Sequence, residues 1–170
     1  MNPVIIYAFA GVMGASVLLC IPFMIMNSKK KKKAAAFIEM NKDKAILHVY
    51  GENVVIDGVK VSKMENVMRR GENLEPVVPL TQGKHTISAK YGESSVNGFG
   101  KNVNYKTPKP IESEIELEAG HEYTISIYFY SPEERESYYK GDVGETVFCQ
   151  ELDVKGGGYS KAYIICYKEK

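Results

Sequence analysis

Between Val4 and Met26 there is no charged side chain, and Ser16 is the one clearly polar residue. As a helix, those 23 residues rise about 34 Å at about 1.5 Å each, more than the roughly 30 Å of a bilayer's hydrocarbon core. The run is apolar on every face, which a helix packed against one core does not need. An uncleaved membrane anchor is therefore expected. A cleaved secretory signal wants a basic leader and a small-x-small closing site. Here only Asn2 and Pro3 separate Met1 from the run, and nothing like Ala-x-Ala closes it. A lipoprotein signal would set Cys20 behind a small residue, but Leu18 and Leu19 precede it. Pro22 falls in the last turns, where a membrane helix tolerates a kink.

Lys29, Lys30, Lys31, Lys32 and Lys33 follow directly. Positive charge stays on the cytoplasmic side, so the bulk of the chain is expected in the cytoplasm and the N-terminus outside. The same lysines are expected to attract anionic lipid headgroups, at about 1 kcal/mol each near the surface. Ala10 with Gly14, and Gly11 with Ala15, form small-xxx-small pairs. Such pairs let two membrane helices approach closely, so a homodimer through this face is a candidate. The whole chain carries 22 basic and 21 acidic residues. Five of the basic ones are Lys29–Lys33 and residues 1–33 hold no acid, which leaves 17 basic against 21 acidic residues over 34–170, a net of −4. That balance gives no case for a nucleic-acid partner.

Ala34–Asp43 reads as a short linker or a first helical turn, and after it the apolar pattern has period 2, the signature of half-buried strands. Asp57-Gly58 sits between Asn53–Ile56 and Val59–Ser62, and a two-residue turn there pairs Ile56 with Val59. Val77–Leu80 and His85–Tyr91 flank Thr81–Lys84, which reads as a second hairpin. Ile111, Ser113, Ile115 and Leu117 share one face; Glu112, Glu114, Glu116 and Glu118 share the other. Tyr123, Ile125, Ile127 and Phe129 form the next inward face, with Thr124, Ser126, Tyr128 and Tyr130 outward. Thr146–Val154 and Tyr159–Tyr167 close the chain around Gly156–Gly158. No helix is expected after the span. The expected fold is all-β, a single β-sandwich of about seven to nine strands, immunoglobulin- or transthyretin-like. The chain divides into an anchor (1–28), a basic juxtamembrane linker (29–44) and the sandwich (45–170). Met64–Glu75, Gly92–Pro110 and Ser131–Gly144 read as loops.

Some segments carry a family likeness. Val54-Val55-Ile56-Asp57-Gly58 resembles the hairpin of PEGA-type domains. Leu80 followed by Gly83-Lys84-His85-Thr86-Ile87-Ser88-Ala89 is similar to their next strand. Glu118 to Ile125 resembles a hairpin of lipoprotein-like domains of unknown function. The likeness covers roughly residues 45–130. It implies a small β-sandwich without catalytic residues that serves as an envelope interaction or scaffolding module, often outside the cytoplasm. The penta-lysine run argues for the opposite side by a physical mechanism and takes precedence here.

Chemistry is sparse. His48, His85 and His121 match no compact metal-ligand spacing. Gly98-Phe99-Gly100 and Gly156–Gly158 precede no helix, so neither is a phosphate cradle. The glutamates of 112–118 form a solvated row, not a pair in a cleft. No cofactor, metal or catalytic residue is expected. If Gly157-Gly158 is the closing turn, Cys149 and Cys166 face each other at about 4.5–5.5 Å between Cβ atoms, a candidate thiol pair. The other reading is two reduced core thiols, which a cytoplasmic domain favours. Tyr128, Tyr130, Tyr138 and Tyr139 form a candidate binding patch for a protein partner or, on an outward-facing module, a polysaccharide.

Overall fold

The computed structural model describes residues 32–70, 75–96, 102–141, 143–153 and 161–169. The apolar run 4–26 lies outside them, as do Ala10, Gly11, Gly14, Ala15, Cys20, Lys29–Lys31, Gly98–Gly100 and Gly156–Gly158. Among the described residues no helix is long and apolar enough to cross a membrane. The chain divides between Met40 and Asn41. In the first unit residues 32–40 are helical, with Lys32 and Lys33 exposed. Lys, Ala, Glu and Met dominate that stretch, and all have high helix propensity.

Among its described residues the second unit, Asn41–Lys170, forms β-strands apart from one short α-helix and one 3-10 turn. It begins with β1 (Ala45–Val49), β2 (Glu52–Ile56), β3 (Val59–Lys60), β4 (Met68–Arg70), β5 (Glu75–Leu80) and β6 (Gly83–Lys90). It continues with β7 (Gly92–Val96), β8 (Asn102–Lys106), β9 (Ile111–Leu117) and β10 (Glu122–Tyr128). The helix α1 (Pro132–Tyr138) precedes β11 (Thr146–Asp153) and β12 (Lys161–Lys168). One sheet runs β11-β12-β10-β1-β5-β4, a second β3-β2-β6-β9, and β7-β8 form a ribbon. Their inner positions meet in one buried cluster. Leu47, Val49, Val78, Tyr123, Ile125 and Ile164 come from the six-stranded sheet; Ile56, Ile87, Ile115 and Leu117 come from the four-stranded one.

The local signals hold. Asp57 (φ 50°) and Gly58 (φ 78°) take the left-handed turn and pair Ile56 with Val59. Asp57 also fastens this hairpin to β6: its carboxylate accepts from the Thr86 amide at 2.9 Å and lies 2.7 Å from His85 Nδ1. Burial pushes the Asp57 carboxyl up, but the His85 hydrogen bond, the Thr86 amide and the His85 charge together hold it below its usual range. Strand β9 buries Ser113, Ile115 and Leu117 and exposes Glu112, Glu114 and Glu116. Strand β10 buries Tyr123, Ile125 and Ile127, and Phe129 packs partly against the same core.

The structure departs from the sequence reading, or adds what that reading left open, in four places. First, Val77–Leu80 and His85–Tyr91 are not a hairpin, because β5 and β6 belong to different sheets. Three of the six β5 side chains at 77, 78 and 80 are buried along with Pro76. Such a strand needs neighbours on both edges, and it takes β1 and β4. The corner is tied by His85 Nε2, 2.8 Å from the Thr81 carbonyl oxygen. Second, β1 runs parallel to β10, with Leu47 beside Tyr123. Third, two segments read as loops hold strands. Gly92–Pro110 contains the β7-β8 ribbon: Gly92–Val96 is too polar to show a period, while Val103 and Tyr105 alternate with Asn102, Asn104 and Lys106, a short signal that the sequence reading passed over. Met64–Glu75 contains β4, a three-residue edge strand of the six-stranded sheet. Fourth, strand β3 stops at Lys60, and Val61–Lys63 forms a 3-10 turn that buries Val61.

At the base of the ribbon, Tyr91 and Thr107 clamp the chain. Thr107 N donates to the Tyr91 carbonyl at 2.8 Å, and Tyr91 N donates to Thr107 Oγ1 at 3.0 Å. The Tyr91 ring is fully buried, and its hydroxyl has no partner among the described residues. Burial, followed by the charge of Cys166, pushes its phenol above the ordinary range. A buried unmade hydrogen bond is destabilising, so Tyr91→Phe is expected to raise unfolding stability by about 1 kcal/mol. Urea titration of the two chains measures this, and a loss of stability would mean the hydroxyl is satisfied.

Candidate functional site

A groove of about 1170 Å³ opens at the end of the two large sheets where β1 passes into β2. Its floor is the Tyr50-Gly51 connection. A Cβ on Gly51 would meet the Ala89 Cβ at 3.0 Å and the Lys90 carbonyl oxygen at 3.2 Å. Glycine is therefore what lets this crossing lie against β6. Beyond it β2 kinks: its register with β6 shifts between Glu52 and Val55, and Asn53 sits at φ 55°. That conformation is one Asn tolerates better than most residues.

Four cations line the groove: Lys60, Arg69, Lys90 and Lys106. Two acids face them. Glu52 accepts a hydrogen bond from Lys106 Nζ, and Glu75 accepts one from the Tyr50 hydroxyl at 3.2 Å. Lys60 and Lys90 have no ion pair among the described residues. A region of net charge −4 over 34–170 thus gathers an excess of positive charge at one end of its sheets. None of these residues stood out in the sequence, because they lie on six elements and meet only through the fold.

The four tyrosines of the candidate patch fall into two pairs. Tyr128 and Tyr130 lie tilted at 43° with 5.2 Å between ring centroids, and Tyr138 meets Tyr139 edge-on at 4.9 Å. Tyr138 and Tyr139 are exposed; Tyr128 and Tyr130 are half-buried. Arg135 of α1 lies between the pairs, only 8 % exposed. Its guanidinium is 3.9 Å from the centroid of Tyr167 and 5.7–5.8 Å from those of Tyr139 and Tyr128. Burial raises the Tyr128 phenol, as do a hydrogen bond with Tyr167 and the nearby Tyr167 charge. Half of the patch is therefore packing beneath α1.

The helix itself corrects the reading of Ser131–Gly144 as a loop. Ser131 caps it: the Ser131 Oγ accepts from Glu134 N at 3.2 Å and the Glu134 carboxylate accepts from Ser131 N at 2.8 Å. Pro132 takes the first helical position. Ser-Pro-x-Glu is a legible start signal, but the helix is too short for an apolar period to reveal it.

The candidate thiol pair is also corrected. Cys166 stands opposite Phe148, and Cys149 opposite Ile165. The strands are out of the expected register by one residue, so the two thiols occupy opposite faces. Both are free; Cys149 is exposed and Cys166 buried. Burial pushes the Cys166 thiol up to about 12. It also raises Cys149, helped by Glu133 and Glu151. Under native conditions at mildly alkaline pH, maleimide is expected to label Cys149 and spare Cys166 until the chain is unfolded. Peptide mass mapping would show this, and an oxidised 149–166 peptide would restore the facing register.

Each histidine meets a carboxylate: His48 with Glu122 at 3.2 Å, His85 with Asp57, and His121 with Glu118 at 3.7 Å. Among the described residues no three His, Cys, Asp or Glu side chains converge. Comparison with protein families, with curated proteins and with solved structures finds no match for this chain.

Proposed function

We propose that this chain is a membrane-tethered, non-enzymatic interaction module. Residues 4–26 anchor it, Lys29–Lys33 rest on anionic headgroups at the cytoplasmic surface, and the β domain holds a protein partner in its groove. The observation that carries this reading is the groove itself, a wide cationic opening in which Lys60 and Lys90 have no ion pair among the described residues. The domain reads as a β-sandwich: two large sheets share one core, and the chain crosses between them at corners. One corner supports that architecture directly. The Tyr123 hydroxyl accepts from Glu118 N at 3.0 Å, five residues back, as in the tyrosine corners of other sandwiches. The likeness of residues 45–130 to PEGA-type modules leans the same way.

Cys149, exposed on the domain, makes a reporter of sidedness. On intact cells a membrane-impermeant maleimide is expected to miss Cys149 and to label it after permeabilisation, with Cys149→Ser as the blank. Labelling of intact cells would favour the alternative, an outward-facing envelope module that binds polysaccharide or an envelope protein. Release of the chain by mild salt wash would overturn the membrane anchor.

A further inference from the structure

We infer that the groove receives an extended, carboxylate-rich polypeptide segment, laid along an open strand edge and read by Lys60 and Lys90. This inference rests on the proposed binding role and assigns its ligand.

Three observations carry it. The first is charge: two lysines without ion pairs among the described residues face a groove whose two acids are already engaged. An anion can supply the partners they lack. The second is size. At about 1170 Å³ the groove exceeds the ~300–1,000 Å³ typical of small-molecule pockets, so a polymer segment suits it better than a metabolite. The third is the strand edges. Strand β3 ends the four-stranded sheet and β4 ends the six-stranded one, and each sends a cation, Lys60 and Arg69, to the groove wall. An edge strand presents main-chain N–H and C=O groups on its outer side. An extended peptide can pair with such an edge and place alternate side chains toward the wall. A glycan or a lipid headgroup offers the charge without the alternating backbone. Tyr50 and Tyr105 also line the groove and offer apolar surface to the side chains between the acids.

The test uses the full chain in zwitterionic micelles and a fluorescent peptide of alternating Glu and Val. Binding is expected, weakening by about tenfold between about 50 and about 300 mM salt as exposed charges are screened. Lys60→Gln with Lys90→Gln is expected to weaken it by a further factor of about ten, with the melting temperature unchanged. Lys109→Gln, outside the groove, is the control and leaves binding unchanged. Amide resonances of Val59 and Lys60 are expected to shift. A peptide N-methylated at every second residue, which cannot complete a strand ladder, is expected to lose binding. If the N-methylated peptide binds equally well, strand pairing is wrong. If oligogalacturonate or anionic vesicles shift the groove resonances and the peptide does not, the polypeptide assignment falls while the binding role stands. If no anionic probe shifts them, both fall.

Discussion

Leu47→Ala is expected to lower the unfolding free energy of this domain by about 2–5 kcal/mol. Leu47 is fully buried at the middle of β1. It stands beside Val78 on one neighbour and Tyr123 on the other. Across the core the same cluster contains Ile56, Ile87, Ile115 and Leu117 of the other sheet. The strands beside Leu47, β5 and β10, are each paired on both edges, so the surroundings have little room to collapse into a cavity here. A domain of this size is stable by only about 5–15 kcal/mol, so a large part of the margin would go. Urea denaturation of the full chain measures it, with Val59→Ala as the control. Val59 lies on the exposed edge strand β3, and a change there should stay within about 0.5 kcal/mol. Equal effects at the two positions would mean that the sheets do not share a core.

Arg135→Ala should be the most damaging change outside that core. The guanidinium is buried between aromatic rings, closest to Tyr167, and has no carboxylate partner among the described residues. A desolvated cation–π contact contributes about 2 kcal/mol or more, and the aliphatic stem adds packing that Ala cannot replace. Lysine should restore only a small part, because an ammonium does not stack flat on a ring. Near-ultraviolet circular dichroism reports the tyrosines, and amide exchange reports α1. If Arg135→Ala leaves both unchanged while Ser131→Ala speeds exchange in α1, the helix is held by its cap and not by the rings.

Alternation at 111–117 and 123–129 revealed which side chains turn inward, because that property belongs to one strand and its pleat. The Asp57-Gly58 turn was legible because its backbone demands those residue types. Which strand lies beside which is a different matter. Nothing in Ala45–Val49 says that its neighbour is 76 residues later and parallel, with Ile46 beside Glu122. Thr81–Lys84 carries turn chemistry that serves a crossing between sheets as well as a hairpin. Three consecutive glycines at 156–158 permit more than one register, and a shift of one residue separated the two thiols. The groove was invisible for the same reason, since its cations are scattered from Lys60 to Lys106 and only the tertiary fold collects them.

The parallel seating of β1 has a consequence for synthesis. The first strand of the domain lies in the middle of its larger sheet, between β5 and β10, and β10 in turn borders β12, the last strand described. One edge of β1 can be covered as soon as β5 leaves the ribosome. The other stays open until the chain has been made through Tyr128, and β10 itself stays open until Lys161–Lys168 emerges. Contacts of such sequence separation form slowly and leave apolar edges exposed in the meantime. A nascent chain of this protein is therefore at its most vulnerable in mid-translation. Premature termination between β6 and β10 would yield a half-covered sheet prone to joining its neighbours.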